Sequence, residues 1–391
     1  MRKLTLIFIV ALLSAPIWSQ TKEGYNFTVV KENPVTSVKN QASTSTCWCF
    51  SSMSFLESEL LKAGKGTYDL SEMYTVRRNY EDKSKKYVRL HGSLNFAPGG
   101  SFADVINTID DYGLMPENNY NGLNYGTTSH NHGELDKVLL NFVKPLADAN
   151  GVSPVWFTGF SSILDAYLGK TPAEFTYEGK KYTPHNFANM LGLKESDYAF
   201  FTSFTHHPYY TEFAVEVPDN WRWANSINVP LDEMISIIDN AIMNGYTVGW
   251  AADVSETGFT RDGIAIVPDE NATENAGSDQ ARWLGLSARD KNNSMKERIG
   301  KEVLKEKVIT PEMRQLAYDN FQTTDDHGMH IYGIAKDQNG NKFYMVKNSW
   351  GEAGAYKGIW YVSEAFIKYK TLNFVVNKKA VPASTLKKVS L

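Results

Sequence analysis

The chain has only two cysteines in 391 residues, Cys47 and Cys49, with Trp48 between them. Residues that close are poorly placed to bridge each other and no third cysteine offers a partner, which excludes a disulfide framework. Basic charge is not in excess either: 40 Lys and Arg stand against 44 Asp and Glu, for a formal net charge of −4. Nucleic-acid binding needs a basic surface, so no nucleic-acid partner is expected. Long apolar runs are missing beyond the first residues, and no internal repeat or low-complexity segment is evident. What is present is 42% hydrophobic and 13% aromatic residues, enough for a large core in two domains or in one domain with a big insertion.

The chain begins Met1-Arg2-Lys3, continues through the apolar run Leu4 to Leu13, and reaches Ser14-Ala15-Pro16-Ile17-Trp18-Ser19-Gln20. This pattern predicts a secretory signal cut near Ser19. A retained membrane anchor is the alternative, but the run is short of the ~20 residues a spanning helix needs, and Pro16 breaks it. The expectation is an exported protein, periplasmic or secreted if bacterial, with no stable membrane span after cleavage. Exported chains ordinarily use cysteine in distant pairs. Two isolated thiols point instead to at least one kept for chemistry.

Past a polar lead-in, Ser/Thr residues precede Cys47, and apolar positions through Met53, Leu56, Leu60 and Leu61 run to Gly64. That spacing predicts a buried helix of about four turns with Cys47 at its N-terminus. A turn at Pro98-Gly99-Gly100 precedes a helical run from Ser101 to Asp111 stopped by Gly113. Between about 125 and 320 helix-like and strand-like pieces alternate; the clearest helix is Pro230 to Asn244, followed by a buried strand from Thr247 to Val254. Residues 286–316 are charge-rich and read as solvated helix and loop. Short strands are expected at 329–334, 343–348 and 359–362.

Cysteine peptidase chemistry needs a thiolate, an imidazole to share its proton, an orienter for the imidazole and an oxyanion hole. A helix N-terminus and a neighbouring imidazolium both stabilise a thiolate, which suits Cys47. Gln41 is placed to direct its amide at a developing oxyanion beside the Cys47 backbone N–H. His327 precedes an apolar strand, and Asn348-Ser349-Trp350-Gly351 closes the next one. An Asn carbonyl accepts from the imidazole N–H and fixes its tautomer, while Trp350 would shield that bond from water. Taken singly, each residue has a plainer reading: Cys47 a structural thiol, Asn348 a turn residue. Cys49 is expected to be core packing, His206-His207 surface or core polar residues, and Asp326 either a tuner of His327 or a solvated carboxylate. His327 and His330 are not expected to bind metal, since no carboxylate or thiol set completes a site.

Gln41, Cys47-Trp48, His327 with Gly333 beyond it, and Asn348-Ser-Trp-Gly together resemble the papain superfamily. About 280 residues separate Cys47 from His327, against roughly 130–150 in ordinary papain-like enzymes. With few cysteines, that long insertion is similar to the bleomycin hydrolase (aminopeptidase C) branch. Beyond the signal at 1–19 read above, the resemblance implies an α+β papain-like two-lobed fold: a helical lobe at 20–125 carrying the nucleophile, an α/β insertion at 126–319, and a β-rich lobe at 320–391. It implies that Cys47 is the nucleophile, His327 the base, Asn348 its orienter and Gln41 the oxyanion donor. Gly99 and Gly100 would bind substrate backbone, with peptides or proteins as substrates, no cofactor, and a homo-oligomer, a hexamer in that branch. The expected activity is that of an aminopeptidase. Three departures are notable: the expected export signal, where members of the branch are typically cytosolic; Ser45-Thr46 in place of the branch's Gly-Arg; and only nine residues after Val376–Pro382, where the branch carries a cleft-filling arm. The short C-terminus leaves an open-cleft endopeptidase as the alternative, and an exported non-enzymatic binding protein of the same fold as a third reading.

Overall fold

The computed structural model describes residues 24–269, 287–299, 301–389 and 391. The expected signal at 1–19 lies outside them, as does part of the charge-rich stretch. Strand β1 (Thr28–Glu32) leads to helix α1 (Cys47–Lys62), the helix expected around Cys47. It is buried along nearly its whole length although it carries four serines. Their hydroxyls explain how: Ser51 and Ser52 donate back to the carbonyls of Cys47 and Trp48 at 2.7 and 2.6 Å, and Ser58 to Ser54. A polar helix is thereby made dry enough to pack.

Around α1 stand α2 (Glu72–Arg89) and α3 (Phe102–Tyr112). Ser71 caps α2 by accepting the Tyr74 N–H, and Ser101 with Asp104 closes a capping box on α3. Gly113 ends α3 at a φ of 76°, the stop predicted from the sequence. A Cβ there would meet the Pro184 backbone at 2.2 Å. Helices α4 (Gly133–Ala147), α5 (Trp156–Leu168) and α6 (Pro184–Leu191) complete this lobe, with the hairpin β2 (Phe175–Tyr177) and β3 (Lys180–Tyr182). Their apolar faces share one core with α1–α3.

The second lobe is a ten-stranded mixed sheet. Its strands are β4 (Tyr198–Thr202), β5 (Glu212–Ala214), β6 (Asn225–Asn228), β7 (Val248–Ala252), β8 (Ile264–Ala265), β9 (His327–Lys336), β10 (Lys342–Lys347), β11 (Ile359–Ser363) and β12 (Thr371–Asn377), with β1 on the β9 side. The order is β5-β6-β4-β12-β7-β9-β10-β11-β8. Helix α7 (Leu231–Met243) lays its apolar stripe on this sheet. The fold is α+β with a helical lobe and a β-rich lobe, as expected. Residues 126–319 divide between the lobes: α4–α6 extend the helical core, while β4–β7 are threaded into the sheet between and beside strands that come late in the chain.

The remaining α-helices among the described residues are α8 (Ala288–Ile299), α9 (Pro311–Asp319), α10 (Glu364–Lys370) and α11 (Ala383–Leu386). The expectation of a fully solvated 286–316 needs correcting. Met295, Ile299 and Ile309 are buried, and Arg314 is 1% exposed, donating to the carbonyls of Ser203 and Lys368. A guanidinium fills that gap because backbone acceptors ring it. Residues 383–389 pack on α7, where Thr385 and Lys388 bond Glu233.

Candidate active site

Helix α1 begins at Cys47, and its N-cap, Thr46, gives no side-chain cap. Cys49 and Phe50 turn their N–H groups back on the Thr46 carbonyl, which leaves those of Cys47 and Trp48 and the positive end of the helix at that point. The backbone N–H groups of Trp48 and Gly328 both act on the Cys47 sulfur. Gly328 follows His327 at the start of β9 and touches α1 closely: a Cβ there would stand 2.8 Å from Ser51 Oγ and 3.1 Å from Trp48 Cα. That contact docks the sheet lobe onto the helix end, and no residue but glycine fits it. The sequence reading did not single out Gly328.

His327 Nε2 lies 2.7 Å from Asn348 Oδ1. Asn348 Oδ1 also accepts the Ser349 N–H at 2.7 Å, while its Nδ2 finds no acceptor among the described residues. The oxygen is thus fixed by two donors, His327 carries its proton on Nε2, and Nδ1 keeps its lone pair. Trp350 covers this pair with ring centroids 4.7 Å apart and is itself 38% exposed. Burial pushes the Cys47 thiol up to about 12 and the His327 imidazole down to about 4, the Asn348 bond opposing the latter. Each group alone is held neutral. A proton moving from thiol to imidazole leaves no net charge behind, so the two ionise only as a pair.

Gln41 is fixed from both ends: Oε1 accepts from Ser349 Oγ at 2.6 Å, and Nε2 donates to Thr44 O at 2.8 Å. Its second amide hydrogen remains for the cleft that Gln41 lines with Cys47. Gly99 and Gly100 line the same cleft. A Cβ on Gly100 would meet the Trp48 ring at 2.9 Å, so the chain can pass there only as glycine. Trp48 Nε1 donates to Pro98 O, and the buried Lys83 donates to the carbonyls of Ala97 and Gly99. Burial lowers Lys83 to about 8. Nothing in sequence marks Lys83; a lysine in an amphipathic helix reads as surface.

The other sequence candidates separate cleanly. Cys49 is fully buried and its Sγ donates to Glu72 O at 3.3 Å. His330 Nδ1 pairs with Ser54 Oγ at 2.8 Å, away from His327. Asp326 accepts from Val254 N and Ser255 Oγ, latching the loop after β7. His206 and His207 lie outside the cleft, against Glu216 at 3.3 and 3.5 Å. Among the described residues that trio is the group with metal-ligand spacing.

The cleft has a volume of about 340 Å³. One wall comes from the Cys47 helix and the glycine turn, another from 325–328, and a third from Val215, Val217, Asp219 and Asn220. That third wall belongs to the segment between β5 and β6 and was not anticipated.

Comparison with known proteins bears on the family and the fold. Residues 25–143 match the papain family of cysteine proteases, and residues 300–390 match the peptidase C1-like family. The chain is similar to aminopeptidase C of Streptococcus thermophilus, 22% identical across 89% of this chain and 82% of the relative. It is equally similar to aminopeptidase C of Lactobacillus delbrueckii subsp. lactis, across 94% and 85%. Among solved structures, PepW of Lactobacillus rhamnosis superposes with a TM-score of 0.70 at 19% identity, over 92% of this chain and 84% of that one.

Proposed function

The chain belongs to the papain superfamily of cysteine peptidases, on its aminopeptidase C branch, and from that premise we propose that it removes residues from the free amino termini of peptides, with Cys47 as the nucleophile. The observation that carries the site assignment is the His327–Asn348 bond of 2.7 Å in the same cleft as the uncapped start of α1.

In this reading the Cys47 proton passes to His327 Nδ1 as the sulfur attacks the substrate carbonyl. The resulting oxyanion takes hydrogen bonds from the Cys47 backbone N–H and the free amide hydrogen of Gln41. His327 then gives its proton to the departing amine, leaving an acyl group on Cys47. Water, deprotonated by His327, releases the acid and restores the thiol. Asn348 holds the imidazole in one tautomer throughout, Trp350 keeps water off that bond, and Gly99-Gly100 lets the substrate backbone come close. The substrates are peptides. Export through the leader and self-association belong to the same proposal; detection of the mature chain outside the cytoplasm and sedimentation of the purified protein test them.

The relatives are named aminopeptidases, which favours this reading over the open-cleft and non-enzymatic ones. Matched fluorogenic peptides, one with a free N-terminus and one acetylated, test it under reducing conditions. The wild type is expected to cleave the free-amine peptide, and Cys47→Ala to be folded and inactive. Substantial turnover by Cys47→Ala would sink the nucleophile assignment, and cleavage of neither peptide by wild type would sink the enzyme reading for these substrates.

A further inference from the structure

The third wall of the cleft sets a carboxylate on the track of the substrate. Asp219 lines the cavity that holds Cys47 and His327, and its side chain lies directly on Gly99: a Cβ there would be 2.0 Å from Asp219 Oδ2. An extended peptide running along Gly99-Gly100 away from Cys47 would meet this side chain. The loop that carries it is rigid. Asn220 ties it internally through Val215 O, Ala224 O and Ala224 N at 2.9–3.1 Å. The buried Trp221 donates to Asp104 Oδ2 at 3.0 Å, and Arg222 bonds Asp104, Asp82 and Asn79.

Among the described residues Asp219 has one hydrogen bond, from Asn95 Nδ2 at 3.3 Å. The nearby cations are committed elsewhere: Lys83 to the carbonyls of Ala97 and Gly99, Arg222 to Asp104 and Asp82. Asp325 lines the same cavity, and among the described residues no donor or cation bonds it; its charged neighbours are Asp219, Asp326 and Asp104. Burial pushes both carboxyls up, and Asp219 and Asp104 add to this for Asp325. The Lys83 charge opposes this for Asp219 without forming an ion pair with it, and withdrawing carboxylates from water with no bonded cation is costly. A ligand that brings a cation removes that cost, and every peptide with an unblocked N-terminus brings an α-ammonium.

We propose that Asp219, with Asp325 as its neighbour, is the anchor for the free α-ammonium of the substrate, and that the 215–222 loop bars a longer chain from continuing past Gly99. Exopeptidase specificity then comes from the insertion: one loop supplies both the block and the charge. This rests on the peptidase reading above.

The test compares wild type, Asp219→Asn and Asp325→Asn on three fluorogenic amides: a free aminoacyl compound, its acetylated form, and a des-amino analogue with hydrogen in place of the amino group. Wild type should favour the free amine over the other two by at least about 100-fold in kcat/KM, as a site built for a polar group rejects analogues lacking it. Asp219→Asn should lose about 10–10³-fold on the free amine, mainly through KM, and keep or gain activity on the acetylated compound. An Asp219→Asn protein with unchanged Tm and undiminished preference overturns the anchor while leaving the peptidase reading intact. Should that variant not fold, wild type and Asp325→Asn decide: equal wild-type rates on the free amine and the des-amino analogue, or an unaltered preference in Asp325→Asn, likewise overturn it. Loss of all wild-type turnover, or turnover by Cys47→Ala, strikes the peptidase reading instead.

Discussion

Gln41 reaches the cleft with one amide hydrogen to spare because Ser349 and Thr44 take up the rest of its side chain. A donor fixed this way needs no reorganisation when charge develops on the substrate oxygen. Gln41→Ala should therefore lower kcat by about 10²–10³-fold with KM and Tm little changed; a loss confined to KM would argue for a binding role. The pH profile is set by His327, whose imidazole is lowered to about 4 by burial. Above that value it is neutral and can take the thiol proton; below it solvent has already protonated it. In kcat, where the bound ammonium keeps the proposed Asp219 anchor ionised, the acid limb should fall as pH drops through about 4, and a limb centred near 6.5, the ordinary histidine value, would contradict the burial argument. Gln41, Cys47, His327 and Asn348 could be found in the sequence because their chemistry constrains residue type and local spacing. Ser349, Lys83, Gly328 and Asp219 could not, since each is brought to the cleft by folding and no local pattern marks it.

At the scale of elements, the Cys47 helix is tied to the sheet lobe by a carboxylate near its far end. Glu59 on α1 accepts from Asn377 Nδ2 on β12 at 2.6 Å, and both residues are buried. Burial raises Glu59 to about 7, outweighing that hydrogen bond and Lys62. Its folded pKa thus lies above the unfolded one, so its contribution to stability is complete below about 4.5 and is lost as pH rises through about 7. Glu59→Gln keeps an oxygen for Asn377 but never ionises. Its stability relative to wild type should grow by about 2–3 kcal/mol between pH 5 and pH 8, read from denaturant unfolding at each pH; parallel curves for the two proteins would exclude the ionisation. Strong periodicity made α1, α3 and α7 visible in advance, and alternating or β-branched runs did the same for β9–β11. The pairings were not visible: β12 is bonded to β4 and β7, strands far earlier in the chain. Such register depends on which faces meet, and no local pattern encodes that.

Across the whole molecule, Arg222 joins the cleft-lining segment to the helical lobe. It reaches Asp104 on α3 at 2.9 Å, and Asp82 and Asn79 on α2 at 3.1 and 2.8 Å. Asp104 is fully buried, and it also accepts from Trp221 and from the Ser101 N–H. Arg222→Met keeps much of the apolar stem packed on Trp221 but strips the buried carboxylate of its bonded cation. Breaking a buried pair from one side costs about 3–5 kcal/mol; the partial exposure of Arg222 puts the expected loss at the lower end, about 3 kcal/mol, measurable as a shift in denaturant midpoint. Because Asp219 is three residues away on the same strap, the substitution should also release the strap from Gly99. The variant is then expected to gain activity on acetylated peptides while losing it on free-amine ones, at temperatures well below its own Tm. A destabilised Arg222→Met with the wild-type preference would mean that Asn220 and Trp221 alone set the strap, and that its specificity does not depend on the tie between the insertion and the helical lobe.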